Sequence, residues 1–341
     1  MDFLFTNLPP LKTKHQTFSD KFDELLYKSD KIQIATGYIT ADSIVELNRF
    51  VDLNQKPKID LVIGMHYFDG FTRKEYNATV DFTKFLIEKN MGCIYLSKAF
   101  KYHGNIYSFL SADSPSAGII GSNNLSSITE YSRIYETSLL IEEYNTSRQL
   151  NLFINDLIKI STPFLECDIQ KFNEYNPLLC DHFGVHKSKS TVKLTSTNFK
   201  IPLNASHNHT KSNLNVFFGK GRTDKRKLIK SRHWYEIELI VPSEISTQDD
   251  YPGMNSDNIF DVITDDGYTF KCKVSGDNNK NFRSAGDLKI LGKWIKGRLE
   301  NAGALKVGEL VTNDTLSKYG RNNFDLVKTE TANLWYLNFG V

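Results

Sequence analysis

Hydrophobic positions in the first half of the chain follow two alternating patterns. Nearly continuous apolar runs, typical of buried strands, cover residues 32–39, 59–64 and 92–96. Apolar residues recur at the helical spacing of three and four in further stretches: 17–27, the segment that begins at 42, 74–90 and 147–160. Strands that alternate with helices predict an α/β domain with a mostly parallel sheet.

Three more short strands are predicted in the middle of the chain, over 105–110, 117–121 and 137–141. His103 leads the first strand, Gly121-Ser122-Asn123-Asn124 follows the second, and Glu136 directly precedes the third. These residue types suit phosphodiester chemistry. An imidazole can attack phosphorus, amide and hydroxyl groups can bind phosphate oxygens, and a carboxylate can hold the imidazole in the correct tautomer.

The pattern changes after residue 193, where short apolar runs are separated by turns rich in Gly, Asp and Asn. The predicted strands are 214–218, 234–241, 259–264, 268–274 and 334–339, with one amphipathic helix over 291–299. This spacing predicts a second, all-β domain with short helices. Because periodicity fades over 161–190, we expect domains at 1–178 and 193–341, joined by a linker at 179–192.

The distribution of charge along the chain indicates what kind of partner the protein binds. The 341-residue chain has a net charge of +2, but residues 187–341 hold 24 Lys and Arg against 17 Asp and Glu, and residues 1–186 hold 18 against 23. A basic second half favours a polyanionic partner.

Cysteine usage and the chain's first residues indicate the compartment. Cys93, Cys167, Cys180 and Cys272 are scattered without a Cys-x-x-Cys spacing, which argues against a zinc site and a disulfide framework. There is no signal-peptide pattern and no apolar run long enough for a membrane span. The sequence therefore predicts a soluble, cytoplasmic protein.

The order of polar residues in the middle of the chain resembles the half-site of the phospholipase D superfamily. That pattern is His-x-Lys, then Gly-Ser-x-Asn, then an acidic residue. The resemblance implies that His103 is the nucleophile or, in a partner subunit, the general acid. It implies that Ser122 and Asn124 bind phosphate oxygens and that Glu136 orients His103.

One position departs from that pattern, because Asn105 stands where the family has lysine. Three explanations stay open: the asparagine is natural, the chain is inactivated, or Lys101 or Arg133 supplies the charge. We expect an Asn105→Lys variant to be at least as active as the chain itself.

Basic residues concentrate in one segment of the second half. Between residues 211 and 232 there are eight Lys and Arg and one acid, around Gly219-Lys220-Gly221-Arg222. A glycine-flanked arginine can read a guanine edge while other cations neutralise phosphates, although a solvated basic hairpin is the alternative. The candidate DNA-binding residues are Lys220, Arg222, Lys225, Arg226, Lys230, Asn279, Lys280, Asn281, Arg283 and Arg321. Glu236 and Glu238 are set aside, since no lysine follows them as in a metal-dependent nuclease core.

The second half also resembles the B-three-like DNA-binding pseudobarrel, over about 210–341. Its matching stretches are Ser212-Asn213-Leu214-Asn215, Gly221-Arg222, Tyr235-Glu236-Ile237, Asp265-Asp266-Gly267, Leu291-Gly292-Lys293-Trp294 and Tyr319-Gly320-Arg321. With its α/β phospholipase-D-like first domain, the whole chain resembles the NgoFVII/NgoAVII-type restriction endonucleases.

That resemblance implies a site-specific, metal-independent endonuclease that cleaves double-stranded DNA through a phosphohistidine. It also implies a homodimer formed by the first domain and a separate helicase-like subunit that uses ATP and Mg²⁺. The chain has no Gly-x-x-x-x-Gly-Lys-Ser/Thr loop of its own. Two alternatives stay open: a catalytically degenerate, sequence-specific DNA-binding protein, and a phospholipase or other phosphodiesterase.

Overall fold

The computed structural model describes residues 1–8, 11, 14–129, 134–173, 178–179, 182–188, 191–203, 205, 213–223, 229–255 and 257–341. The chain divides into two compact units, Met1–Asn176 and Pro177–Val341. Each unit has its own eight-stranded sheet.

The first unit alternates strands and helices until its middle, where strands follow one another. Its strands are β1 (Asp2–Phe5), β2 (Lys31–Thr36), β3 (Lys58–Ile63), β4 (Phe71–Thr72), β5 (Gly92–Leu96), β6 (Asn105–Ser111), β7 (Ser114–Gly121), β8 (Thr137–Ile141), β9 (Thr162–Pro163) and β10 (Phe172–Asn173). Its α-helices are α1 (Phe18–Lys28), α2 (Ala41–Asn54), α3 (His66–Asp69), α4 (Arg73–Glu88) and α5 (Tyr144–Lys159).

The sheet of the first unit has the strand order β1-β8-β7-β6-β2-β3-β5-β9. Among the described strands of this sheet, only the β2–β3 and β3–β5 pairs are parallel, so the expectation of a mostly parallel sheet is wrong. The turn between β6 and β7 explains the difference. Ala112 and Asp113 there have positive φ angles of 47° and 61°, and so short a turn can only join antiparallel strands.

The core of the first unit lies on both faces of this sheet. On one face, α5 packs Ile154 and Leu157 against Ala35, Val62 and Ile106 of three neighbouring strands. On the other face, α1 buries two phenylalanine rings against the Tyr107 ring of β6. Burial on both faces explains why the central strands read as continuous apolar runs.

The second unit is mostly β-structure. Its strands are β11 (His186–Lys187), β12 (Leu194–Pro202), β13 (Arg222–Thr223), β14 (Ile229–Lys230), β15 (Leu239–Ile240), β16 (Ile259–Thr264), β17 (Tyr268–Ser275), β18 (Asn281–Ser284), β19 (Asn323–Thr329) and β20 (Leu334–Asn338). Its α-helices are α6 (Ser243–Ser246), α7 (Lys289–Asn301) and α8 (Asn313–Tyr319). The sheet order is β12-β19-β20-β16-β17-β18-β15, and β11 pairs with β17. The segment 179–192, expected to be a linker, thus contains a strand of this sheet.

Two predicted strands of the second unit are wrong. The run 214–218 contains a 3₁₀-helix, Val216–Phe218, and only Leu239–Ile240 of the run 234–241 is a strand. Trp234 shows the reason, because it is fully buried and its Nε1 donates to Glu300 Oε1 at 2.9 Å. The apolar run reflects burial against α7, and periodicity alone does not distinguish this from strand pairing.

The described residues include neither a membrane-spanning helix nor a metal-binding cluster. None of the helices described has the length and apolarity needed to cross a membrane. In the same part of the chain, no group of three or more His, Cys, Asp or Glu could hold a metal ion. Cys93, Cys167 and Cys272, the cysteines for which the structure gives a position, are free thiols.

Candidate active site and DNA interface

One edge of the first sheet gathers the ends of four neighbouring strands. β2 and β7 end there, and β6 and β8 begin there. The pairing register places one residue from each strand side by side: Thr36, Asn105, Gly121 and Ser138. The rest of the predicted set lies within three residues of this row: His103, Ser122, Asn124 and Glu136. The fold therefore brings the candidate catalytic residues to one sheet edge.

His103 is exposed, and the backbone around it is closely packed. Tyr102 N donates to the Gly64 carbonyl oxygen at 3.3 Å, and a Cβ atom on Gly64 would lie 1.9 Å from the Tyr102 carbonyl oxygen. Only glycine lets the loop lie this close to the end of β3. The Tyr38 ring packs edge-on against the His103 ring, with centroids 5.4 Å apart. The imidazole is thus accessible to a substrate while its loop is held in place.

Tyr38 is a residue of this edge that sequence reasoning missed. Its backbone N–H donates to Asn124 Oδ1 at 3.2 Å, and its hydroxyl donates to Asp69 Oδ2 at 2.5 Å. The hydrogen bond to Asp69, together with burial, raises the pKa of Tyr38 to about 12, so the phenol stays protonated at neutral pH. Its position just after the carboxyl end of a buried strand is the signal that could have identified it.

Behind Tyr38 lies His66, a buried histidine on α3 whose ring stacks on Phe71. Its Nε2 accepts the backbone N–H of Ile39 at 3.1 Å, and its Nδ1 lies 3.3 Å from the Gly70 carbonyl oxygen. Burial lowers the pKa of His66 to about 4, so the ring is neutral at pH 7 and carries its proton on Nδ1. His66 is therefore an uncharged support for the Tyr38 segment.

Ser122 and Asn124, the predicted phosphate ligands, are held in different ways. Ser122 Oγ donates to the Thr137 carbonyl oxygen at 3.2 Å and accepts the Thr137 N–H at 3.1 Å. The Asn124 side chain uses its carbonyl oxygen for the bond to Tyr38. That bond orients the amide so that its NH₂ group is the end available to a phosphate oxygen.

Glu136 makes no hydrogen bond to His103 in the described structure. Ser127 Oγ donates to Glu136 Oε2 at 2.8 Å, and the backbone N–H of Asn124 also bonds the carboxylate. Burial raises the pKa of Glu136, and these two hydrogen bonds oppose the rise. Glu136 thus fixes the turn that carries Asn124, and its role in orienting His103 stays a prediction.

Asn105 is buried and uses both ends of its amide inside the protein. Its Oδ1 accepts the Thr36 hydroxyl at 2.8 Å and the Gly37 N–H at 3.3 Å, and its Nδ2 donates to the Ser122 carbonyl oxygen at 3.0 Å. With 4% of its surface exposed, it joins the ends of β2 and β7. These contacts give Asn105 a structural task at the position where the family has lysine.

The Asn105 contacts reverse the expectation that Asn105→Lys leaves activity intact. A lysine cannot accept the Thr36 and Gly37 hydrogen bonds, and its ammonium would lie in a buried site. We expect the substitution to lower the free energy of unfolding by about 2–3 kcal/mol and to reduce cleavage. Urea unfolding and a nicking assay measure the two effects.

Asn124→Ala is the matched control, because Asn124 is only half-buried. We expect it to lower cleavage while changing the free energy of unfolding by less than about 1 kcal/mol. An Asn105→Lys protein that is as stable as the parent and more active would show that the site lacks a lysine.

Lys101 and Arg133 are the two cations that could substitute for that lysine according to the sequence. Lys101 Nζ lies 5.5 Å from the centroid of the Phe68 ring on α3. Arg133 lies outside the described residues. The structure therefore gives a position for Lys101 alone, and its substitution for the lysine stays a prediction.

Two further lysines lie around α3. Lys98 Nζ is 5.6 Å from the centroid of the Tyr67 ring, and Lys171 Nζ donates to the Phe68 carbonyl oxygen at 3.0 Å. With Lys101, two residues before His103, they form a basic surface beside the candidate site. An anionic substrate would be attracted to it although the first half of the chain is net acidic.

In the second unit, the first basic segment forms a short hairpin, in which Arg222 of β13 pairs with Lys230 of β14. Gly221 has a φ of 75°, and a Cβ atom there would lie 2.5 Å from the Lys230 carbonyl oxygen. Glycine is therefore required beside Arg222. Lys220, Arg222 and Lys230 are exposed, whereas Lys225 and Arg226 lie outside the described residues.

An arginine–carboxylate cluster lies beside this hairpin and consists of Arg222, Arg232, Glu236, Glu238 and Arg283. Arg222 Nη2 lies 3.2 Å from Glu236 Oε1 and 4.0 Å from Glu238 Oε1. Arg232 Nη2 lies 2.5 Å from Glu236 Oε1 and 3.6 Å from Glu238 Oε2. Arg283 Nη1 donates to Glu238 Oε1 at 3.3 Å. The cluster thus joins the two predicted DNA-binding segments through acids that sequence reasoning had set aside.

The second of those segments is the connection from β17 into β18. Asn279 belongs to a 3₁₀ turn, Lys280 follows it, and Asn281 and Arg283 lie on β18. Lys280 Nζ lies 3.3 Å from Asp277 Oδ2. Arg283 is the member of this segment that reaches the hairpin through the arginine–carboxylate cluster.

Arg321 is engaged inside the protein. Its Nη1 donates to the Gly340 carbonyl oxygen at 2.8 Å, its Nη2 lies 2.5 Å from Asp325 Oδ2, and 15% of its side chain is exposed. These bonds hold the segment around Gly340 against the start of β19. A DNA contact by Arg321 stays a prediction, and Arg222 is better placed for one.

Two family models match the chain, one in each half. Residues 16–174 match the NgoFVII restriction endonuclease N-terminal PLD domain. Residues 189–330 match the NgoFVII C-terminal B3-like DNA-binding domain. The chain belongs to the NgoFVII family of restriction endonucleases. Membership confirms the predicted fold class, a phospholipase-D-like α/β domain followed by a B3-like domain.

Comparison with solved structures finds distant likenesses to parts of the chain. NucT from Helicobacter pylori is 14% identical, covering 48% of this chain and 98% of NucT, with a TM-score of 0.34. Nuc from Salmonella typhimurium, a phospholipase D family member, is 11% identical, covering 48% of this chain and 97% of Nuc, with a TM-score of 0.33. TrmBL2, an archaeal chromatin protein, is 13% identical, covering 42% of this chain and 49% of TrmBL2, with a TM-score of 0.29. The chain therefore spans about half the length of TrmBL2. Comparison with curated proteins finds no match.

The two domains of this NgoFVII-family chain divide the candidate residues between them. The sheet edge with His103 lies in the matched PLD domain, and the arginine–carboxylate cluster lies in the matched B3-like domain. One chain thus combines a nuclease-type domain with a DNA-binding domain.

Proposed function

We propose that this chain is a site-specific endonuclease of a restriction–modification system, which cleaves double-stranded DNA through a phosphohistidine on His103. The observation that carries the proposal is the exposed His103 imidazole at a sheet edge that also holds Ser122, Asn124 and Glu136. Nicking of supercoiled DNA in excess EDTA tests it, with any partner subunit present but its ATP-dependent step omitted.

The proposed reaction has two steps. A ring nitrogen of His103 attacks phosphorus, a P–N bond forms, and the bond to the leaving oxygen breaks as the partner's His103 gives that oxygen a proton. Water then attacks phosphorus, the P–N bond breaks, and the partner's His103 takes up a proton from the water. Asn124 and Ser122 bind the non-bridging oxygens, where developing negative charge needs donors. The Ser122 hydroxyl does so by turning its hydrogen from the Thr137 carbonyl oxygen to the phosphate. No step in this scheme requires a metal ion.

The reaction requires a homodimer through the first unit, because it uses two catalytic histidines and each chain supplies only its own His103. An exposed apolar row crosses the outer strands beside the site and offers a contact surface. Phe3 of β1 lies opposite Leu139 of β8, which lies opposite Ile120 of β7. Phe3 is 66% exposed and Ile120 is 36% exposed.

Sedimentation should therefore show a dimer at micromolar concentration, held through the first unit. We expect Phe3→Asp to weaken it roughly tenfold or more, since burial of a phenylalanine stabilises by about 1.5–3 kcal/mol. Activity per chain should fall on dilution in parallel. Ile87→Asp, on an apolar residue of α4 that is 52% exposed, is the matched control. A monomer that retains full activity would contradict the shared site.

A separate, ATP-dependent helicase-like subunit is the proposed partner, as the family resemblance implies. A catalytically degenerate DNA-binding protein is the second candidate. Asn105 is the observation in its favour, because an internally bonded amide stands at the lysine position. Sequence-specific binding without nicking under any of these conditions would favour that candidate.

A further inference from the structure

We infer that Glu238, together with Glu236, sets the DNA sequence specificity of the second unit by holding Arg222 and Arg283 in fixed positions. This inference rests on the proposed sequence-specific recognition of DNA. It assigns the two acids a role as positioning residues, which touch the reading arginines and not the DNA.

Charge and exposure divide the cluster into an inner and an outer part. The Arg232 side chain is 11% exposed, and those of Glu236 and Glu238 are 10% and 20% exposed. Arg222 is 57% exposed and lies on the outside. Three arginines face two carboxylates, so the cluster keeps a net positive charge for a DNA ligand, and that charge faces outward at Arg222.

The segment that carries both acids is firmly anchored. Trp234 and Tyr235 both donate to the Glu300 carboxylate of α7, at 2.9 Å and 3.0 Å. Lys296 Nζ donates to the Trp234 carbonyl oxygen at 2.5 Å. Glu238 N donates to the Asn213 carbonyl oxygen at 3.3 Å. The two carboxylates are therefore presented from a rigid backbone.

Rigid carboxylates affect the arginines in two ways. A long arginine side chain loses rotamer freedom when it binds a base edge, and a partner that already fixes the guanidinium reduces this loss. The negative charge also repels phosphate, which penalises binding that lacks the compensating base contacts. Both effects raise the ratio of cognate to random binding.

Glu238 is the acid that connects the two DNA-binding segments, since it lies within 4.0 Å of Arg222 on the hairpin and 3.3 Å from Arg283 on β18. Removing its charge should release the two arginines from each other. The hairpin and β18 would then present their guanidinium groups independently, and readout of adjacent bases would be lost while phosphate contact would persist.

The test uses the full-length chain with His103→Ala, so that the duplex stays intact, and a cognate duplex selected from a random pool. Glu238→Gln should lower the ratio of cognate to random affinity by about tenfold. Affinity for random DNA should rise, and its salt dependence should steepen by up to about one unit of slope. Thermal unfolding without DNA checks that the variant is folded.

Asp277→Asn is the matched control, because it removes an exposed carboxylate in the same region that pairs with Lys280 and touches no arginine of the cluster. It should strengthen cognate and random binding alike and leave their ratio unchanged. An equal change in the ratio for both variants would mean that only net charge matters, which overturns the inference.

A second comparison separates positioning from general stability. In a chain that already carries Arg222→Ala and Arg283→Ala, Glu238→Gln should no longer change the ratio, since it acts through those side chains. A persisting effect would assign Glu238 a merely structural role. If the parent chain itself does not distinguish any duplex, the proposed function fails; if it does and Glu238→Gln changes nothing, only the inference about Glu238 fails.

Discussion

Replacing His103 with alanine should reduce DNA cleavage by roughly 10⁴–10⁶-fold, as removal of a nucleophile does in other covalent enzymes. Alanine has no atom that can form the P–N bond, and the neighbouring Tyr38 phenol, whose pKa is raised to about 12, stays protonated and is a poor replacement. Binding of the cognate duplex should change less than about threefold, because the candidate base contacts lie in the second unit.

Cleavage should be measured on supercoiled DNA in excess EDTA, and the covalent intermediate should be trapped on labelled DNA by an alkaline denaturing quench. A phosphohistidine is stable in base and labile in acid, so the label should remain on the parent protein after the alkaline quench and be lost on subsequent acid treatment. His15→Ala, on another exposed histidine of the first unit, is the control and should cleave normally. Cleavage by His103→Ala, or parent cleavage that requires Mg²⁺ without a partner subunit, would refute the mechanism.

Replacing Arg222 with alanine should weaken cognate binding by about 1–3 kcal/mol, a factor of roughly 5–150, with little effect on random DNA. Arg222 is the outermost guanidinium of the arginine–carboxylate cluster and stands on a hairpin that Gly221 allows to close. An arginine held in this way can pair with both acceptors of a guanine edge.

Lys230→Ala provides the matched control, because Lys230 lies directly opposite Arg222 in the same hairpin and is also exposed. If Lys230 contacts a phosphate, its replacement should weaken binding to cognate and random duplexes alike and reduce the slope of the salt dependence by about one. Titrations of both variants at several salt concentrations separate the two outcomes. If Arg222→Ala weakens binding to both duplexes equally, Arg222 reads no base.

Much of the architecture could be read from local patterns. The strands at 92–96 and 137–141 have the predicted bounds, and α4 and α5 lie within three residues of the predicted helices. Each of these elements has one dominant period, which reports burial directly. The order of His103, Gly121-Ser122-Asn123-Asn124 and Glu136 likewise pointed to one site, because phosphodiester chemistry restricts which residue types can serve it.

The strand directions and most of the second unit could not be read in this way. A buried strand has the same apolar run whether its neighbour is parallel or antiparallel, so the turn at Ala112 and Asp113 decided the pairing. The run from Trp234 is apolar because it packs on α7, and its sequence does not differ from that of a paired strand.

The sequence by itself determined the two domain types, the half-site motif and the basic segments, because each is a local pattern of residue types. Only the tertiary structure decided what Asn105 and Glu238 do. Asn105 lies 69 residues from Thr36, and Glu238 lies 45 residues from Arg283, yet both pairs are in hydrogen-bond contact. Such contacts depend on how strands pair and how segments pack, and no spacing along the chain records them.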